Sequence, residues 1–176
     1  MKRSFAVAVV MAPLLAGACN QPLSPVSPSS ARSGNLSIDS ASLGASEQSV
    51  PFKGTFEGSQ TLTVTQPPYA SVNGSATGVA TQVGQFTVTF PHTVNLVTRT
   101  GAGTYTFTAA NGDTVTASFT GQATQEGTTV SIVEHATITG GTGRFARATG
   151  TFTAYRTFQQ TTGATEGSFD GTIAMF

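Results

Sequence analysis

A chain of 176 residues with eight positive and eight negative side chains has the length of about one domain and no net charge. The balance excludes the basic footprint of a nucleic-acid binder, and the lone cysteine excludes an internal disulfide and a clustered-cysteine metal site. Twenty glycines, no tryptophan and abundant threonine favour strands over helices, because threonine suits a pleated, half-buried surface.

The chain opens on an address. Lys2 and Arg3 form a positive n-region, and Phe5 to Leu15 form an apolar stretch shorter than the ~20 residues of a spanning helix. Residues 1–18 therefore read as a signal peptide. The stretch ends in Leu15-Ala16-Gly17-Ala18-Cys19, which resembles the lipobox of bacterial lipoproteins, although Leu15 lies one place further from the cysteine than that family prefers. The resemblance implies that Cys19 becomes the mature N-terminus and carries diacylglycerol, making the membrane a partner through its lipid. Asn20 is not the aspartate that retains such lipoproteins at the inner membrane, so the expected location is the cell envelope with an outer-membrane anchor. Ala16-Gly17-Ala18 equally satisfies an ordinary A-x-A cleavage rule, which keeps a secreted, unlipidated product as the alternative.

Residues 19–50 are rich in Ser, Pro, Ala and Gly and show no apolar periodicity, so they cannot bury enough surface to fold. They are expected to form a disordered linker with an r.m.s. reach of roughly 30 Å. The folded domain is expected over residues 51–176, roughly 125 residues and one modest core.

From Phe52 onward apolar residues alternate with Thr, Ser and Gly, and no window offers a helical pattern. Phe86, Val88 and Phe90 share one face; so do Tyr105 and Phe107, and Val115, Ala117 and Phe119. These are strands with one buried face. Asn111-Gly112 predicts a hairpin with a type I′ turn. Pro67-Pro68, Gly140 to Gly143 and Thr162-Gly163 mark further turns, leaving seven or eight strands. Gly54-Thr55-Phe56-Glu57-Gly58 near the start echoes Gly167-Ser168-Phe169-Asp170-Gly171 near the end, which predicts that the first and last strands are neighbours. Thr-rich strands with few charges are hazardous as open edges, so an all-β, antiparallel, closed barrel of about eight strands is expected, with a sandwich as the alternative.

The segment Ile138-Thr139-Gly140-Gly141-Thr142-Gly143-Arg144-Phe145-Ala146-Arg147-Ala148-Thr149-Gly150 resembles the glycine-rich strand connection of the allene oxide cyclase and dirigent barrels. The likeness runs more loosely from about Phe52 to Ile173 and looks closest to uncharacterised bacterial exported proteins of that pattern. Arg147 departs from the small residue usual there. The resemblance implies an eight-stranded barrel, a homotrimer as one possible assembly, and a cavity that acts as a template more than a reagent. It carries over no catalytic residue.

Thr139-Gly140-Gly141-Thr142-Gly143 also looks like the start of a Rossmann nucleotide site, but a strand follows it where that site needs a helix N-terminus. His92 and His135 lie in no metal motif and are expected to face solvent, His92 because it follows Pro91. No G-x-S-x-G elbow is present. No cofactor and no metal are expected.

Glu134 is the candidate catalytic residue, because it shares strand parity with Val130, Ile132, Ala136 and Ile138 and so points inward. Its structural alternatives are a bulge that flips the register or pairing with Arg99, Arg144 or Arg156. Glu57 and Asp170 take the opposite parity and face solvent. Three functions compete. A barrel binding a small apolar molecule or a protein partner without catalysis predicts a cavity lined by Phe, Val, Ile and Tyr with no convergent polar set. An isomerase or cyclase predicts a dry cavity with Glu134 at its wall beside a water or an Asn. A purely structural envelope protein predicts an interior filled by side chains.

Overall fold

The structure, a computed structural model, describes residues 48–176; the expected leader, Cys19 and the linker up to residue 47 lie outside the described residues. Nine strands follow one another: β1 (Ser49–Gln66), β2 (Tyr69–Ala80), β3 (Gly84–Thr89), β4 (His92–Asn95), β5 (Thr100–Ala109), β6 (Thr114–Glu126), β7 (Thr129–Gly141), β8 (Thr149–Gln159) and β9 (Ala164–Ala174). A 3₁₀ turn, Gly143–Phe145, interrupts the series. β1 already runs from Ser49, ahead of the boundary expected at Pro51.

The sheet closes on itself. β1 pairs antiparallel with β2 along one edge and with β9 along the other, so no free edge remains between first and last strands. β3 and β4 both pair with β2 on one side and β5 on the other. They are one wall strand broken at Phe90-Pro91, where proline has no N–H for the ladder. The architecture is an eight-stranded barrel with one strand in two pieces.

Alternation crosses that break. Phe86, Val88, Phe90 and His92 are all buried, so the expectation that Pro91 would turn His92 to solvent is corrected: the proline interrupts hydrogen bonding without changing which face a side chain takes. The echo near the two ends is also explained. Phe56 lies across from Gly167 and Phe169 across from Gly54, and a Cβ on Gly54 would stand 2.7 Å from the Phe169 ring. Each copy supplies one bulky ring and the gap that the other copy's ring needs.

The Asn111-Gly112 hairpin forms with a different turn. Only Gly112 has positive φ, at 88°, with Gly112 N–H donating to Ala109 O (2.9 Å) and Ala109 N–H to Asp113 O (2.9 Å). That is a type I turn followed by a glycine bulge. Asn111 is held out of the left-handed region because its Oδ1 accepts from Asp113 N–H at 3.1 Å.

The two halves of the interior differ. The end carrying the described chain's two termini is packed with Phe52, Phe86, Phe107, Phe152 and Phe169, whose ring centroids lie 4.9 Å (Phe52–Phe169) to 5.2 Å (Phe86–Phe107) apart at the closest pairs. Phe145, brought in by the 3₁₀ turn and fully buried, joins this cluster. Burying each ring contributes about 1.5–3 kcal/mol. The opposite end is ringed by the β1–β2, β4–β5, β6–β7 and β8–β9 turns and is only part-filled.

Candidate functional site

Inward positions change character toward that second end. Gln60 on β1, His92 on β4, Tyr105 on β5, Glu134 on β7 and Arg156 on β8 are all buried and converge halfway down the barrel. Gln60, His92, Glu134 and Arg156 form the floor of a cavity of about 180 Å³, walled by Leu62, Val72, Val94, Val130, Ile132 and Phe158, and Tyr105 joins them through its hydroxyl on Glu134. A larger concavity of about 1070 Å³ lies chiefly over outward-facing threonines and Val79, Val133 and Tyr155. It is a broad saddle on the outside of the sheet, whereas the mouth cavity has the converging buried polar groups that mark a binding site.

Glycine makes the floor possible. Gln60 lies across from Gly74, His92 from Gly103, Glu134 from Gly121 and Arg156 from Gly167. A Cβ on Gly121 would meet Glu134 Cγ at 2.6 Å, and one on Gly167 would meet Arg156 Cβ at 2.7 Å. In so narrow a barrel each of these four long side chains has, on one of its flanking strands, a neighbour with no side chain.

The Glu134 carboxylate takes Arg156 as a fork: Oε1 accepts from Nη2 at 2.8 Å and Oε2 from Nε at 3.0 Å. Oε2 also accepts from the Tyr105 hydroxyl. Arg156 Nη1 donates to Gln60 Oε1 at 2.6 Å, and the guanidinium carbon sits 5.2 Å over the Phe90 ring. His92 Nδ1 lies 2.8 Å from Phe90 O; a carbonyl only accepts, so Nδ1 carries the hydrogen and Nε2 presents a lone pair, 3.5 Å from Arg156 Nη2.

These contacts set the ionisation of the floor. Burial, reinforced by the Glu134 charge and hydrogen bond, holds the Tyr105 pKa well above 10.0. Burial works to lower the Arg156 pKa, but the hydrogen bonds and charge of Glu134 together with Tyr105 outweigh it and raise the guanidinium above its ordinary value. His92 is lowered from 6.5, first by burial and then by the Arg156 charge, against the Phe90 carbonyl and Glu134. Above pH 6.5 His92 is neutral in both folded and unfolded chains, and its contribution to stability is complete. As pH falls through that value, the unfolded chain takes up a proton that the folded protein refuses, so stability declines until the folded pKa is reached. The urea midpoint is expected to fall from about pH 7.5 to about pH 5 more steeply in the parent protein than in His92→Gln. Equal slopes would show that His92 is not the group responsible.

Glu134 does point inward, as its parity indicated, and of the three arginines considered Arg156 is its partner. Arg99 stands exposed at the rim of the mouth, and Arg144 lies over Phe145 at the closed end. Glu57 and Asp170 are exposed; Asp170 pairs with Lys53 at 3.0 Å on the surface, a contact worth about 0–1 kcal/mol. The expectation of a binding cavity without a convergent polar set is corrected by the Gln60, His92, Tyr105, Glu134 and Arg156 group. Gln60 and Arg156 had the same parity signal as Glu134, since Gln60 follows Phe52 and Phe56, and Arg156 sits between Ala154 and Phe158. Among the described residues the side-chain partners of Glu134 are the Arg156 guanidinium and the Tyr105 phenol, where an Asn was expected. Three of its about four acceptor positions are therefore occupied.

No family model matches the sequence, and no curated protein matches it. Among solved structures the chain is similar to a pterocarpan synthase dirigent protein, with a TM-score of 0.55 and 17% identity over 82% of this chain and 99% of that one. The likeness is one of fold: this is a dirigent-like barrel.

Proposed function

We propose that this protein binds a small, mainly apolar molecule in the mouth of its barrel and does no covalent chemistry on it. The carrying observation is the part-filled interior: an apolar wall over a polar floor whose one carboxylate is already held by Arg156 and Tyr105. A carboxylate so engaged is poorly placed to accept a proton from a ligand, which weighs against a cyclase using Glu134 as base. An unfilled mouth weighs against a purely structural barrel. The fold shared with a dirigent protein named for pterocarpan synthesis supports an interior that receives an organic molecule.

The cavity suits a compound of about one ring, since an apolar cavity of about 150 Å³ accepts benzene. Ala123, half-buried on the mouth wall, offers the test. Ala123→Phe is expected to fill the cavity, leave the circular dichroism of the barrel unchanged, and abolish the thermal stabilisation that one-ring compounds give the parent protein. Stabilisation that survives the filled mouth would place binding elsewhere and end this reading.

The proposal extends to location. The lipobox-like leader supports an envelope protein tethered through acylated Cys19, and the described chain enters the barrel at its closed end, opposite the mouth. Mass spectrometry of protein purified from its own membranes is expected to show acyl chains on Cys19. An unmodified N-terminus would return the secreted alternative.

A further inference from the structure

We infer that the ligand of the mouth cavity presents a neutral hydrogen-bond acceptor, an oxygen of the ketone, ester or ether kind, to the side-chain amide of Gln60; this rests on the binding reading above. Gln60 is only 6% exposed, and its backbone N–H is fixed to Gly163 O at 2.9 Å. Its Oε1 accepts from Arg156 Nη1 at 2.6 Å. The amide cannot be turned over, because a guanidinium has only donors and a reversed amide would set N–H against N–H.

Nε2 is thus the group left over, and it donates to no described residue. Every fully buried side-chain nitrogen and oxygen among the described residues has a partner, so Nε2 must be reachable from the cavity that Gln60 lines. A residue more than nine-tenths buried therefore offers two N–H bonds to the cavity. They ask for an acceptor.

The charges of the floor select a neutral one. Arg156 is already answered by Glu134, so an anion on the floor would bring a second negative charge beside Glu134 with no cation left for it. Arg99, the other arginine of the mouth, is exposed at the rim. The walls of Leu62, Val72, Val130, Ile132 and Phe158 require that the rest of the ligand be apolar.

Three one-ring probes test this on the full chain: cyclohexanone, methylcyclohexane and cyclohexanecarboxylate. They are titrated by NMR while the Gln60 side-chain amide pair is followed, assigned as the pair missing from Gln60→Glu. Cyclohexanone is expected to bind about tenfold more tightly than methylcyclohexane, to exceed the carboxylate, and to shift the Gln60 amide. Gln60→Glu keeps an acceptor for Arg156 and loses the donor, so the ketone's advantage should fall to near parity; Gln60→Met serves if that variant misfolds. Equal binding of ketone and hydrocarbon, a ketone advantage that survives both variants, or tightest binding of the carboxylate overturns the inference and leaves the binding reading standing. Failure of all three probes to bind the folded protein overturns both.

Discussion

Glu134→Leu is expected to destabilise the protein by about 3–5 kcal/mol, because it leaves the Arg156 guanidinium buried without its anion. The cost comes from the stranded charge and not from any unusual strength of the pair. Replacing the whole group with apolar side chains should therefore undo most of it. Tyr105→Phe must be included, since the Tyr105 hydroxyl also loses its acceptor at a cost of about 1–3 kcal/mol. The triple variant Tyr105→Phe, Glu134→Leu, Arg156→Met is expected to return to within about 1–2 kcal/mol of the parent by urea denaturation. It should nevertheless lose the preference for a one-ring ketone over the hydrocarbon, because Gln60 loses the donor that orients its amide. A Glu134→Leu protein as stable as its parent would mean that water reaches Arg156, and the cavity floor would have to be redrawn.

Phe107→Ala is the second large effect. Phe107 is 1% exposed, and its ring centroid lies 5.2 Å from that of Phe86, 5.4 Å from Phe169 and 5.7 Å from Phe52. Its neighbours come from β1, β3 and β9, which are tied into a closed sheet and cannot collapse far into the space left. The loss is expected at about 3–5 kcal/mol, against a net stability of about 5–15 kcal/mol for a domain of this kind. Phe107→Leu, which keeps much of the volume, should cost clearly less. The mouth answers differently. Leu62, exposed at its rim, should tolerate alanine within about 0.5 kcal/mol. Similar urea midpoints for Phe107→Ala and Leu62→Ala would contradict the division of the barrel into a packed half and an open half.

Strand parity carried much of the candidate site in plain view. Gln60, His92, Tyr105, Glu134 and Arg156 each sit in phase with buried phenylalanines, valines or alanines of their own strand, and all five point inward. His92 keeps this phase although a proline precedes it. Pro91 removes one ladder bond, and the two-residue period runs through it unbroken.

Which of these side chains meet was a separate matter. Arg156 lies across from Ile132, one step diagonal to Glu134, and that register is reached only after the bulge at Thr139 and the turn that buries Phe145. Parity sets Arg156 inward, but which inward side chain it meets is undecided until strand pairing is known. The turn at Asn111-Gly112 shows the same limit on a smaller scale: the residues located a hairpin, while the Asx contact to Asp113 selected its type.

By itself the sequence determined the all-β class, the inward and outward faces and the pairing of its two ends, because alternation and the matched Gly-Phe-Gly segments are local properties. Only the tertiary structure decided that one half of the barrel is solid, that the other half is open, and that a compensated ion pair lies between them. Those outcomes depend on side chains from strands distant in sequence competing for one narrow interior, where each glycine sets how much room its cross-strand neighbour has.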